Sequence, residues 1–484
     1  MAEGIEAGLT ADRRRPPLSV KFLYGVGAMG ESAFIAAVAF VFFYYTAVLG
    51  LSGSLVGAAL FLGLCADAAV DPFFGSWSDN IHSRFGRRIP LMAFGGPVMA
   101  VSVGMLFAPP AGLPDLALFA WLAGWAMVVR AGVSMFHVPY VALGAEMSAD
   151  YHERSSLVAW RTVFGILATG TATGLAYSVF FKGEGGLQRL EGYPPFGWTI
   201  AAMIAISTLV STVGSARYAA ALPGAPPVDQ HLLRRLPGEV AEIFRNRSFR
   251  ILFVSAAVCY TAVGVNSAFN SHAYVFVWRL QPNMIQTATF SFLGGLFLGV
   301  PLTPLVSRVL EKKTVAIIGM GLVAGAWIAL GLPRIAGLVT AEGRAAVPYL
   351  AALVAVAGLG AGFCAIAFPS MMADAADEHQ QLFGRRREGL YFAGLGFAFK
   401  AATGLGVLLS GFALDVIGFP KDVGRQVGLV LPEGLQQRIL FAWGPLGALM
   451  VLASIATLAS YAITRRRHAE VAAALRQREA RAAE

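Results

Sequence analysis

The sequence predicts an all-α membrane protein of twelve transmembrane helices, arranged as two bundles of six. Three observations predict it. First, of the 484 residues 57% are hydrophobic and only 13% are charged, against about a quarter charged in a soluble domain, so lipid must be the main solvent. Second, the apolar runs are long, unbroken and rich in Leu, Ala, Val, Gly and Phe. Each approaches the ~20 residues that cross a bilayer as a helix, where a membrane β-barrel would show short alternating segments. Third, the longest polar break, near residues 222–250, falls after the sixth run and divides the chain evenly.

The first run, near 22–49, is too long for a signal peptide and has no small-residue cleavage site behind it, so it remains as a helix. Runs near 53–78, 89–109, 114–146, 157–181 and 196–219 complete the first bundle, residues 1–221. The linker, 222–249, reads "LPGAPPVDQHLLRRLPGEVAEIFRNRSF". Its stretch Leu232–Phe244 fits either a basic amphipathic helix lying on the membrane or a solvated connection. Runs near 250–278, 285–309, 314–333, 346–373, 389–417 and 440–464 make the second bundle, residues 250–484, which ends in a basic tail.

Charge orients the chain. Of the 37 Lys and Arg residues, 26 fall on the side of both termini, 8 on the other, and Arg130, Arg161 and Lys400 lie within helices. By the positive-inside rule both termini are cytoplasmic, in a bacterial cytoplasmic (inner) membrane. The net charge of +9 is thus topological and implies no nucleic-acid partner. Cys65, Cys259 and Cys364 all sit in apolar runs, which excludes a disulfide framework or zinc site. The patterns "GLGAGF" (358–363) and "GTATG" (170–174) lie inside apolar helices and read as close helix packing, not as dinucleotide loops. The "NRS" at Asn246 falls on the cytoplasmic side and is no glycosylation site. No Ser/His/Asp order, metal-ligand spacing or phosphate loop stands outside the helices, so neither an enzyme nor a cofactor is expected.

Ionisable groups inside the membrane mark function by default. Glu31, Asp67, Asp71, Arg130, His137, Arg161, His272 and Lys400 qualify, each with a packing or snorkelling alternative. Asp67 and Asp71 are the hardest to dismiss. At i and i+4 they share a helix face, ~5–6 Å apart. Both ionised, they repel and lose hydration. The stable outcomes are a proton on one, a hard cation such as Na+ between them, or neutralisation by Lys400 or Arg130. Pro72 removes a helix hydrogen bond beside them. The following loop, "GSWSDNIHSRFGRRIP" (75–90), carries Gly75, Asp79, Gly86, Arg87 and Arg88, a spacing that fits a cytoplasmic latch between an acid at a helix end and basic residues. A weaker echo, Arg308, Lys312 and Lys313, follows the eighth run.

These residues resemble the major facilitator superfamily and, within it, the glycoside–pentoside–hexuronide:cation symporters. The resemblance rests on "YGVGAMGESAF" with "FFYYTAVLGLS", on "DAAVDPFFG", on "HVPYVALGAEMSADYHERSSLVAWRTVFG" and on "ADAADEHQQLFGRRREGLYFAGLGFAFKAATG", in that order. It implies that Asp67 and Asp71 are cation-site carboxylates, Ser134 a hydroxyl ligand and Lys400 a coupling residue near the acidic pair. It also implies Arg161 at the sugar site. The sequence departs from the family at His137, where sugar transporters carry an acid or amide, and at Val141, where they carry a stacking tryptophan. The helix-1 acid matches Glu31 only with a one-place shift; otherwise Ser32 falls there. The same branch resembles animal lysophospholipid transporters, which makes an amphiphile the alternative substrate.

The expected protein is therefore a monomeric symporter driven by Na+ or H+. It carries a small organic solute, a sugar or glycoside, by alternating access. Glu31, His137, Arg161, Asn266, Asn270 and His272 are the candidate substrate contacts. For Asn266 and Asn270 the alternative is interhelical hydrogen bonding. A non-transporting receptor or scaffold is the rival reading, and it would not need the acidic pair.

Overall fold

A computed structural model describes residues 16–148, 150–222, 232–385, 387–421, 423, 426 and 428–483. The basic N-tail and residues 223–231 of the linker lie outside them. Among the described residues twelve helices are long and apolar enough to cross a membrane. They are α1 (Leu18–Val48), α2 (Gly53–Asn80), α3 (Ile89–Leu106), α4 (Asp115–Glu146), α5 (His152–Phe180) and α6 (Leu190–Ala220). The rest are α7 (Arg247–Val277), α8 (Pro282–Val309), α9 (Lys312–Ile335), α10 (Gly343–Phe383), α11 (Glu388–Ile417) and α12 (Glu433–Ala459). Large apolar side chains such as Phe94, Ile206, Leu298 and Val416 are exposed on them, as lipid-facing surfaces require.

The chain forms two compact units, Met1–Asp229 with Pro420–Val427, and Gln230–Phe419 with Gly428–Glu484. The small excursion Pro420–Val427 goes with the first unit, where Lys421 Nζ lies 3.2 Å from Asp115 Oδ2. In the first unit α4 packs on α2 and α3, α6 on α3, and α1 on α5 and α6. In the second unit α10 packs on α8 and α9, α12 on α9, and α7 on α11 and α12. Each half repeats the other's packing, helix for helix. Wide π turns close α1 (Tyr44–Val48), α5 (Ala176–Phe180) and α7 (Ala273–Val277), so even the irregular ends of α1 and α7 correspond.

Glycines set the closest approaches. A Cβ on Gly358 would lie 2.1 Å from the Phe292 carbonyl oxygen of α8, and one on Gly362 2.8 Å from Gly299 Cα, so only hydrogen fits between these backbones. The "GLGAGF" run is a packing surface. Gly170 and Gly174 are not: a Cβ there would meet nothing within 4 Å.

Two boundaries differ most from the sequence expectation, and one helix gains partners that it did not suggest. The run expected to end at 373 continues as helix through Phe383, because its polar end is paired: Lys312 Nζ lies 2.7 Å from Asp374 Oδ1, and His468 Nε2 3.3 Å from Asp377 Oδ2. The last span starts at Glu433 instead of 440, and Gly444–Pro445 divides it into Glu433–Trp443 and Pro445–Ala459. The linker segment, expected as a membrane-surface helix or a solvated connection, is a helix, Leu232–Ile243, tied to the second unit. Glu239 Oε1 lies 2.7 Å from Arg387 Nη1, Glu242 Oε1 3.3 Å from His379 Nε2, and Ile243 is buried. These acids meet their partners only once α10 and α11 are formed, a pairing the linker's own composition does not reveal.

Candidate functional site

In the first unit α1, α2 and α4 bring their ionisable residues together. Arg130, Ser134 and His137 stand at helical spacing along α4 and share one face. Asp67 of α2 is 1% exposed. Its Oδ1 accepts a 3.1 Å hydrogen bond from Ser134 Oγ, and its Oδ2 lies 3.8 Å from Arg130 Nη1. Asp71, one turn further on, is half-buried. The Arg130 guanidinium lies close to Asp67, Glu31 and Asp71 and rests 5.3 Å from the centre of the Phe34 ring. Three carboxylates from two helices thus face one arginine. Pro72 lies inside the unbroken α2. Having no N–H, it leaves the carbonyl of residue 68, between the two aspartates, without its helix donor.

The substrate candidates of this unit form a second line. Glu31 Oε2 of α1 lies 2.7 Å from His137 Nδ1, which gives His137 a defined partner. Ser32 turns instead toward α5, where a Cβ on Gly165 would lie 2.9 Å from its Oγ. Glu31, not Ser32, therefore faces α4. His137 neighbours Tyr140, ring centres 6.4 Å apart. Tyr140 and Tyr24 exchange hydrogen bonds through their hydroxyls and backbone carbonyls, at 2.9 and 3.1 Å. Arg161 of α5 stacks over Tyr140, 5.2 Å from the ring centre. It does not snorkel, and its Nε is a buried donor with no hydrogen-bond partner among the described residues.

The second unit holds the remaining candidates. Lys400 lies half-buried on α11. Beside Asp67 in the first unit the counter-charge is Arg130. Asn266 Nδ2 donates to the Trp443 carbonyl at 2.8 Å, and Trp443 Nε1 donates to Asn270 Oδ1 at 2.6 Å, so both amides tie α7 to α12. His272 does not fit a substrate contact. It is fully buried, its Nδ1 meets the Ala268 carbonyl at 3.3 Å, and its ring packs against Phe269, Phe276 and Phe419. Its proximity in sequence to the asparagines is not proximity to a cavity, because its face of α7 turns into the aromatic core.

The expected latch is a three-helix clamp within the first unit. Arg88, at the start of α3, reaches Asp79 Oδ1 at 2.5 Å and Glu146 Oε1 at 2.7 Å, and donates to Ser78 Oγ at 3.0 Å. Arg87 does not pair with Asp79. It turns to Glu146 at 2.8 Å, an acid at the end of α4 that the loop pattern alone does not include. The second unit repeats the arrangement with Lys312 at the start of α9 and Asp374 on α10. Lys313 caps the end of α12 through the carbonyls of Ala459 and Tyr461. Among the described residues no three His, Cys, Asp or Glu side chains converge as a metal site. An ion at Asp67 would need further oxygen ligands, and Ser134 Oγ, 3.1 Å from Asp67 Oδ1, is one such oxygen.

Twelve spans in two repeated units, with acids buried among basic groups inside a bundle, define an integral membrane transporter of the major facilitator fold, not an enzyme. The chain belongs to the MFS/sugar transport protein family, whose model matches residues 23–465, and to its glycoside–pentoside–hexuronide:cation branch. An uncharacterised symporter of Synechocystis is 24% identical, over 95% of this chain and 97% of its own. The isoprimeverose transporter of Lactiplantibacillus pentosus is 23% identical, over 83% and 81%. The sodium-dependent lysophosphatidylcholine symporter 1 of Gallus gallus is 30% identical over 38% of this chain and 34% of its own. The crystal structure of the nucleoside transporter NupG covers 91% of this chain, and 98% of that chain is covered, with a TM-score of 0.60 at 15% identity. The protein therefore works in a lipid bilayer on a small-molecule substrate.

Proposed function

We propose that this protein is a symporter that couples Na+ or H+ to the movement of a sugar or glycoside by alternating access. One observation carries the coupling: the buried Asp67, held by Ser134 and Arg130, stands one turn from Asp71 on the same helix. Two carboxylates one turn apart inside a membrane repel each other and lose hydration, and a cation or proton bound there relieves both. Lys400 is the coupling lysine in this reading. Cation binding at Asp67 and Asp71 lowers the repulsion on α2, and reciprocity makes substrate and cation raise each other's affinity equally.

Glu31, His137 and Arg161 are the polar contacts for the substrate in the first unit. The Arg161 Nε supports this, since a buried donor without a partner is costly until a ligand hydroxyl accepts from it. The clamp of Asp79, Arg87, Arg88 and Glu146 holds the cytoplasmic-closed state. Both termini face the cytoplasm across a bacterial inner membrane, and the transporter acts as a monomer without a cofactor.

A lysophospholipid or other amphiphile is the second reading. It is favoured by His137 and Val141 at positions where sugar transporters of the branch carry an acid or amide and a tryptophan, and by the sodium-dependent relative from Gallus gallus. Uptake into proteoliposomes of a panel of pentosides, hexuronides and lysophospholipids, with and without a Na+ or H+ gradient, tests both. Gradient-driven accumulation of a glycoside supports the first reading, and accumulation of lysolipids alone overturns it.

A further inference from the structure

The second unit contains a partly open cavity of about 460 Å3 that the coupling reading does not use. It lies among α7, α8, α9, α10, α11 and α12. Six aromatic residues line it: Tyr260, Tyr274, Phe292, Trp327, Phe399 and Trp443. Among the described residues its lining contains no Asp, Glu, Lys, Arg or His, in contrast to the charged cluster of the first unit. An ion entering it would lose its hydration and find no counter-charge. Water fills it poorly. At ~30 Å3 each, about fifteen molecules would be needed, and each requires two to four polar partners. The lining offers them chiefly aromatic and aliphatic surface.

The polar groups that are present are specific. Asn266 and Asn270 stand four residues apart on α7, and each is held by one bond to Trp443. Asn266 uses its Nδ2 as donor and Asn270 its Oδ1 as acceptor. Each amide keeps its other half: among the described residues Asn266 Oδ1 remains as an acceptor and Asn270 Nδ2 as a donor. A hydroxyl group donates and accepts at once, so it answers both. Trp443 fixes the two amides before any ligand arrives, which lowers the ordering cost of binding.

We propose that this cavity is a binding site for a small, neutral, aromatic hydroxyl compound, separate from the cation cluster. The hydroxyl donates to Asn266 Oδ1 and accepts from Asn270 Nδ2. The ring system packs edge-on or offset against the aromatic walls. An apolar cavity of about 150 Å3 holds one benzene ring, so 460 Å3 admits two fused rings with their substituent.

Equilibrium dialysis of the purified full chain in nanodiscs tests the site directly, and reads binding whether or not transport is coupled to a cation. The probes are 2-naphthol and 2-naphthalenesulfonate, which share a ring system and differ in charge. Saturable binding of 2-naphthol but not of the sulfonate is expected. Ala361→Phe fills the cavity from α10 and should weaken 2-naphthol at least about tenfold while the protein stays monodisperse. Cys364→Phe, a turn further along, serves if that variant does not fold. Asn270→Leu should weaken it less, by removing the donor while leaving the ring contacts. Absence of saturable 2-naphthol binding, equal binding of the sulfonate, or undiminished binding by a folded cavity-filled variant overturns the proposal.

Discussion

An aspartate that is 1% exposed inside an apolar bundle needs neighbours that replace water, and Ser134 and Arg130 are those neighbours of Asp67. Removing one partner of a buried ion pair leaves the other charge uncompensated, at a cost of about 3–5 kcal/mol. Arg130→Ala should therefore lower thermal stability in detergent sharply, and Asp67→Asn added to it should restore much of the loss. A double mutant as unstable as Arg130→Ala alone would show that the arginine acts elsewhere. His137 behaves differently. Its pair with Glu31 is about one-third exposed on each side, and such pairs contribute only about 0–1 kcal/mol. His137→Ala should leave stability nearly unchanged and cation affinity intact, while weakening substrate binding in calorimetry. Equal losses in substrate and cation affinity would move His137 into the coupling site. The acidic pair was legible from spacing alone, because i and i+4 place two carboxylates on one face. Arg130 was visible as a membrane charge, but which acid it meets depends on how α2 packs on α4. His272 was misread for the same reason: sequence gives a residue's helix and not the face that turns into the core.

The elements show which helix contacts were readable. Arg87 and Arg88 were marked by a local pattern, but Glu146 lies 58 residues from Arg88 in sequence, and only the approach of α3 to α4 brings them together. Because Glu146 accepts from both arginines, Glu146→Gln should destabilise the first unit by about 1.5–3 kcal/mol, within the range of hydrogen bonds to charged groups. Asp79→Asn, which breaks one contact of a more exposed acid, should cost less. Thermal melts of the two variants check the order, and a larger loss for Asp79→Asn would place the weight of the clamp on α2. The glycines give a sharper contrast. Gly358→Leu forces a side chain into the Phe292 carbonyl, whereas Gly170→Leu enters open space. The first should abolish monodisperse expression and the second should not. Both lay in similar Gly-rich patterns, and composition could not separate them, because what distinguishes them is the presence of a backbone on the other side.

At the scale of the molecule, twelve spans and their division into six and six were legible because hydropathy and length leave few alternatives. The helical end of α10 and the docked linker helix were not, since both are stabilised by ion pairs between distant segments. Orientation rests on the 26-to-8 asymmetry of Lys and Arg. A cysteine at Glu184, in the exposed α5–α6 connection, should react with an impermeant maleimide on intact cells, and one at Arg385, in the α10–α11 turn, only after permeabilisation. The reverse pattern would invert the topology. The central claim is that the acidic cluster of α1, α2 and α4 couples a cation to substrate movement. Gradient-driven uptake into proteoliposomes by Asp71→Asn and Asp67→Asn, beside the unmodified protein, tests it most directly. Asp71→Asn should lose uphill accumulation while keeping membrane expression and substrate binding or downhill flux. Asp67→Asn should do comparable damage if the ion is Na+, which needs several oxygens, and less if it is H+. Full uphill accumulation by Asp71→Asn would contradict the account and leave the pair as structure.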